Sequence, residues 1–495
     1  MIGRDKAIVC ACEDVSTHDI EQAIARGFAD VESVKRYTGL GTGPCQGKSC
    51  MVGAMRLCAP HLPASAQVPF RARPPASPTA LGAYAALPDA IVSAEPKAQP
   101  RLPRASAADL TPRGKLPERA EVVIIGGGIM GLALAWNLAG LGVGKVLVLE
   151  RGYLCEGASG RNGGGVRAQW TTPTLIELAK ESIDFMGRFA QELGINIWLR
   201  KGGYLFLAND DETVKRIEAS AALQRKHGLK TRIITPGEAG EIVPELDTRR
   251  FLAASWNPDD GVVFPWPFLW GYADGAVKRG AQVETFTQVT GLEVASGAVR
   301  AVHTDRGRVA ADRVVIASGA WSPEVAKLAG VSLPNQPHRH EIVSSEPLKP
   351  FLGPLVSMLG TGLYFSQSMR GEIVGGMGDP REPAGLNHAS SLGFLARYSR
   401  ALTELLPRTG QVKLLRQWAG CYDATPDSSP ILGETPGVSG LLQMSGFVGH
   451  GFMMAPAMGR RMAEWMGGAK DEIFERYSLR RFSEGRLERE TFIIG

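Results

Sequence analysis

The chain has 495 residues, 44% of them hydrophobic and 21% charged, the balance of an ordinary globular protein with roughly two to four domains. Lys and Arg number 55 against 50 Asp and Glu, and a net charge of +5 over this length excludes a nucleic-acid footprint or a strongly basic membrane-binding surface. Glycine is enriched at 60 residues, and marks places where backbone must turn tightly or come close to a ligand.

Five of the seven cysteines, Cys10, Cys12, Cys45, Cys50 and Cys58, fall in the first 58 residues. In a reducing compartment such clustering points to a metal rather than to disulfides. Two short helices are expected between Cys12 and Cys45. The first is capped by Ser16 with Asp19 and turns Ile20, Ile24 and Phe28 inward; the second covers 30–37. The glycine-rich loop 38–44 can wrap closely around a ligand. Four thiolates suit either Zn²⁺ or an iron–sulfur cluster, and Cys58 is expected to be a core thiol. From 60 to 118 the chain carries twelve of its 32 prolines, a composition that builds no independent core. Yet Phe70, Leu81, Tyr84 and Leu87 suit a free tether badly. An ordered arm is expected, laid along the rest of the chain or along a partner.

The uncharged stretch 122–144 is long enough to span a bilayer, but its seven glycines divide it into a strand (122–125), a turn and a helix (129–139). With the next strand at 146–149 this is a βαβ unit, the opening of a parallel sheet covered by helices. Gly126-x-Gly128-x-x-Gly131 occupies the turn: the first glycine permits it, the second lets a pyrophosphate approach backbone N–H groups, and the third lets the helix pack. Glu150, at the end of the second strand, stands where a carboxylate accepts ribose hydroxyls. The motif alone does not separate NAD from FAD. Helices follow at 174–193 and 211–227 and after Gly261. Strands are expected at 202–207, 282–286, 291–294 and 313–318, and those at 340–346 and 371–376 imply an antiparallel second domain. No secretory segment opens the sequence, so a cytoplasmic location is expected, with a peripheral place at the inner membrane as the variant.

Later motifs separate the cofactors. Ser159-Gly160-Arg161-Asn162-Gly163-Gly164-Gly165, the segments 317–322 and 418–433, and Gly446 to Ala457 resemble, in order and spacing, the D-amino-acid oxidase superfamily of FAD enzymes, in the branch of sarcosine oxidase β-subunits, glycine oxidases and amino-acid dehydrogenases. The resemblance runs from Ala120 to about Met466. It implies that Gly126, Gly128, Ile129, Met130 and Gly131 hold the pyrophosphate, and Glu150 and Arg151 the adenosine end. Ser159, Arg161, Asn162, Gly163 and Gly164 would line the flavin side. Val289 would meet adenine through its backbone, Ser318, Gly319 and Trp321 would flank the cofactor, and Gly449, His450, Gly451, Phe452 and Met453 would approach the flavin ring. A helix starting there would direct its positive dipole end at reduced flavin. His450, Tyr422 and Arg339 are the candidate catalytic residues, Arg339 as cation for a substrate carboxylate.

Thr38 to Cys50, with CxC before it, resembles the bacterioferritin-associated-ferredoxin-like [2Fe-2S] domain, which implies a cluster on Cys10, Cys12, Cys45 and Cys50. Pro265 stands where covalently flavinylated relatives have histidine, so any second flavin, an FMN at a subunit interface, would be non-covalent. Met453 stands where oxidases of this branch place a lysine; a neutral thioether does not stabilise developing superoxide by charge, which favours a dehydrogenase. The fused cluster argues the same way. The expected fold is an α/β Rossmann-type FAD-binding domain with an antiparallel-sheet substrate domain, preceded by a small helical Cys₄ domain and a Pro-rich arm. Boundaries are 1–59 for the iron–sulfur domain, 60–118 for the arm and 119–495 for the oxidoreductase. Within the last, the FAD-binding part covers about 119–200, 240–335 and 410–470, and the substrate part about 201–239 and 336–409. The expected function is oxidation of the C–N bond of an amino acid or secondary amine of opine, proline, sarcosine or glycine type, with electrons leaving through the cluster to a quinone or respiratory acceptor and a flavoprotein α-subunit as partner. The alternatives are an electron-transfer or assembly subunit with a degenerate pocket, and a glycerol-3-phosphate-type dehydrogenase.

Overall fold

A computed structural model describes residues 7–93 and 115–492. The β-branched run ending in Ile125 is buried on both faces, as a central parallel strand requires. Its sheet runs in the order Gln282–Glu284, Val146–Leu149, Arg119–Ile125, Gly307–Ile316, Ala298–Thr304, Val289–Ala295. The first three junctions are parallel, and Leu441–Ser445 adds a further parallel strand along the C-terminal end of Gly307–Ile316. Ile129–Gly140 is apolar nearly all round and correspondingly buried. It packs in one core with Pro173–Leu193, Pro265–Lys278 and Gly451–Met466. The uncharged stretch is therefore strand, turn and a twelve-residue helix. Among the described residues no helix is long and apolar enough to cross a membrane.

The second sheet has nine strands, in the order Thr79–Ala80, Lys413–Ala424, Gln336–Pro347, Glu372–Gly376, Leu363–Gln367, Leu355–Met358, Tyr204–Ala208, Ala253–Asn257, Arg232–Ile234. Two expectations are corrected here. The sheet is mixed, because Leu355–Met358 runs parallel to Tyr204–Ala208. Ala253–Asn257 and Lys413–Ala424, both assigned to the FAD-binding part, pair into this sheet instead. Helix Leu392–Leu405 closes its core with Phe394, Leu395, Tyr398, Leu402 and Leu405.

The N-terminal head contains helices Thr17–Ala25, Val31–Thr38 and Met51–Cys58. Ser16 and Asp19 form the expected capping box, and Asp30 caps the second helix. The head rests on the nucleotide-binding half. Phe28 and Tyr37 lie 4.8 and 5.5 Å from the Trp270 ring, Arg26 pairs with Asp274 at 2.8 Å, and Arg36 covers Tyr153 at 5.0 Å. The arm follows its own chain. Pro74 O accepts the Gln417 N–H at 2.7 Å, Leu81 donates to Val412 O at 2.9 Å, and Arg400 donates to Leu87 O at 2.8 Å. Arg101 and the rest of 94–114 lie outside the described residues.

Phe70 explains the glycines of the cysteine loop. A Cβ on Gly41 or Gly47 would stand 2.3 Å from its ring, and Phe70 is buried between them. Phe70→Ala should cost about 3–5 kcal/mol, the range for deleting a buried aromatic ring. Chemical unfolding of the full chain, followed by the head's own transition, checks it.

Candidate active site

One cavity lies at the C-terminal ends of the parallel strands and reaches the second sheet. Every residue expected to hold the cofactor lines it except Gly131. Gly131 acts from behind: its Cβ would stand 2.1 Å from Gly126 O, so the helix can start beside the turn only without one. Gly126 takes φ +121°, closed to L side chains. Ser159 Oγ accepts the Ile129 N–H at 3.0 Å, joining the second glycine turn to the first helix. Glu150 accepts N–H groups from Gly127 and Gly152, each at 2.9 Å, and burial pushes its carboxyl up. It lines the cavity together with Val289, Arg151 and Trp321, and the Arg151 guanidinium lies 4.3 Å from the Trp321 ring. Asn162 Oδ1 accepts the Gly164 N–H at 2.7 Å. Arg161 is spent on carbonyls, donating to Glu156 O at 2.7 Å and Ala419 O at 3.0 Å.

At the other end, Gly449 to Met453 open helix Gly451–Met466, whose first N–H groups have no partners within the helix. His450 is buried with its ring 4.3 Å from Trp170, and its Nε2 has no hydrogen-bond partner. Burial, then the nearby Arg167 charge, holds its pKa well below the usual range, so it is neutral. Tyr422 stacks on His340 at 4.7 Å, and His340 stacks on Tyr364 at 5.6 Å with Nε2 3.0 Å from its hydroxyl. Burial lowers His340 to about 4.

Arg339 is a correction. It is not among the cavity-lining residues. Alternation along Gln336–Pro347 sends its side chain to the opposite face from His340. There it binds Glu382 through two contacts of 2.8 and 2.7 Å. At the end of the cavity beside His450 and Tyr422, the lining cation is Arg167, which motif reading missed. It is 1% exposed and lies 3.6 Å from the Trp170 ring. It donates to Gln169 O and Phe492 O, and its Nε has no partner. Among the described residues it forms no salt bridge. An arginine two residues past a glycine turn was the available signal.

The family model for FAD-dependent oxidoreductases matches residues 121–465. The chain belongs to the FAD-dependent oxidoreductase family. Residues 4–87 of this oxidoreductase match the sarcosine oxidase A3 domain. It is 30% identical over 386 residues to the sarcosine oxidase β-subunit of Rhodobacter capsulatus, covering 76% of this chain and 92% of that one. Mouse mitochondrial sarcosine dehydrogenase is 26% identical over 79% of this chain and 44% of its own length. Among solved structures, L-proline dehydrogenase from P. horikoshii superposes with TM-score 0.72 at 35% identity, covering 75% of this chain and all of that one. Glycine oxidase from Geobacillus kaustophilus does so with TM-score 0.68 at 27% identity, covering 77% and 100%.

Four cysteines of the oxidoreductase's head meet in pairs. Cys12 hydrogen-bonds Cys45 and Cys10 hydrogen-bonds Cys50, with further electrostatic coupling of Cys10 to Cys12 and of Cys45 to Cys50. Burial raises Cys45, but N–H groups of Ser49 and Gly47 and the Cys12 thiol outweigh it and bring its pKa down. Among the described residues no three or more His, Cys, Asp or Glu stand as a formed metal site.

Arg339→Met should leave KM unchanged and lower stability by about 3–5 kcal/mol, because it strands the buried Glu382 charge. Steady-state kinetics beside thermal unfolding separates the two effects. Gly131→Ala should abolish FAD retention, read from the flavin absorbance of purified protein.

Proposed function

We propose that this chain is an FAD-dependent dehydrogenase oxidising the C–N bond of a carboxylate-bearing amine: an opine, proline derivative, sarcosine or glycine. The observation that carries the reading is the buried Arg167 guanidinium, which faces the cavity with no carboxylate bonded to it. A buried cation of this kind binds an anion, and an amino-acid carboxylate supplies it. FAD, when bound, supplies the hydride acceptor. The residues that would hold it are those lining the cavity from Gly126 to Met453, with Gly131 behind them. The unpartnered His450 Nε2 and the glycine-walled turns fit such a group. Neutral His450 can accept a hydrogen bond from the substrate N–H and leave the amine as free base, its lone pair available as hydride departs. The Tyr364–His340–Tyr422 stack walls the same end of the cavity and excludes water. Among the described residues no lysine lines the cavity, and Met453 does, which supports an acceptor other than oxygen.

The fused head supports a [2Fe-2S] cluster on Cys10, Cys12, Cys45 and Cys50. The paired thiols and the N–H groups around Cys45 fit thiolate ligands, and a cluster there takes electrons singly. A flavoprotein α-subunit completes the assembly in this reading, with a quinone or respiratory acceptor at a cytoplasmic or inner-membrane-peripheral site. Any FMN at that interface is non-covalent, because Pro265 opens its helix with no nucleophile to tether it.

The holoprotein should bleach its flavin anaerobically with at least one of these amines and not with glycerol 3-phosphate. The reverse result establishes the glycerophosphate reading, and bleaching only through an added partner establishes the relay reading. Arg167→Gln should raise KM about 10²–10³-fold for the amino acid and leave the decarboxylated amine unaffected. Cys45→Ser should remove the cluster's visible bands and keep FAD; stoichiometric zinc without iron in the parent protein overturns the cluster.

A further inference from the structure

Asp260 is fully buried, and its carboxylate holds the two residues that follow Arg167. Oδ1 accepts the Ala168 N–H at 2.8 Å and Asn257 Nδ2 at 2.8 Å; Oδ2 accepts Gln169 Nε2 at 3.1 Å. Ala168 and Gln169 directly follow Arg167. Gln169 is fixed in turn, donating to Tyr204 O at 3.0 Å and accepting Ser255 Oγ–H at 2.7 Å. Asp260 therefore sets the segment that delivers the guanidinium to the cavity.

Charge makes this more than scaffolding. Two carboxylates face Arg167: Asp260 and, from the C-terminal segment, Glu490. Glu490 accepts N–H groups from Thr171, Thr491 and Phe492 and the Thr171 hydroxyl, so its lone pairs are used within the protein. A substrate carboxylate at Arg167 is then a third negative charge in a water-poor space around one cation. Asn257 Oδ1 is buried without a partner beside Asp260. Turning that amide over presents an acceptor to a protonated Asp260, so the neutral acid can be satisfied where it stands.

We propose that Asp260 takes up one proton from solvent as a substrate carboxylate binds at Arg167, and returns it when the anion leaves. The proposal rests on the carboxylate reading of Arg167. The one bond that changes is the Asp260 O–H, formed with a solvent proton as the anion enters and broken as it leaves. Burial already raises the Asp260 carboxyl to about 7, which makes this exchange available near neutral pH. The other titratable groups facing this end do not titrate there: His450 and His340 are held neutral, and burial holds the Tyr204, Tyr364 and Tyr422 hydroxyls protonated. The sign follows. The protonated acid binds the anion better, so affinity falls as pH rises through the ligand-free value, about tenfold per pH unit above it.

Calorimetry of the FAD-loaded full chain with acetate as probe, at pH 8 in two buffers of different ionisation enthalpy, counts the protons. The expected result is uptake of about one proton per acetate, with Kd about tenfold weaker at pH 9 than at pH 8. Asp260→Asn should bind acetate with no proton uptake and a flat profile. Proton-neutral binding that Arg167→Gln abolishes would overturn the proposal and leave the carboxylate reading standing. Acetate that does not bind, or binds Arg167→Gln equally well, removes the carboxylate reading and the proposal with it.

Discussion

A guanidinium that is 1% exposed must be held by groups that replace its water, and Arg167 finds them in widely separated parts of the chain. Trp170 lies under its face, the Phe492 carbonyl reaches it from the C-terminal segment, and Asp260 fixes the backbone that follows it. Those contacts explain local features that otherwise look unrelated. Gly165–Val166 pairs with Gly261–Val262, which brings the Asp260 segment alongside the second glycine turn. The C-terminal segment is fastened by Glu490 to Thr171, and Phe492 packs against Phe206 at 5.4 Å. The glycine turns and the cation are thus parts of one construction, the turns on one strand of a ribbon and its anchor at the end of the other.

What could be read from sequence was what is local. The Gly126 to Gly131 turn, the Ser16–Asp19 box and the start of helix Gly451–Met466 depend on residues a few positions apart, and their spacing states their geometry. Arg167 could not be read that way, because its environment comes from residues 204, 260, 450 and 490–492. Arg339 shows the opposite failure. In Pro337-His338-Arg339-His340-Glu341 both a cation and an imidazole suit an active site, and a strand sends them to opposite faces. Only the buried Glu382 and Glu341 on one side and Tyr422 on the other decide which residue meets the cavity. The strands Ala253–Asn257 and Lys413–Ala424 were misassigned for a related reason: sheet membership is settled by long-range pairing, and the chain passes repeatedly between the two sheets.

The head is held in one position on the rest of the chain. On a free tether it would sample many positions over the nucleotide-binding half. Here three separate contacts oppose that freedom. Phe28 and Tyr37 close on Trp270, which stacks on Trp266 at 5.6 Å. Trp266 in turn stands behind the Ala158–Arg161 turn, leaving no room for a Cβ on Gly160. Arg36 covers Tyr153 on the loop after Glu150, and Glu13 pairs with Arg370 on the second sheet's side. The arm then closes the triangle, with Phe70 under the cysteine loop and Leu81 sealed against Val412. Its many prolines suit this course: an extended segment that gives few of its N–H groups to a sheet loses little by lacking them, and its few large apolar residues sit where a surface receives them.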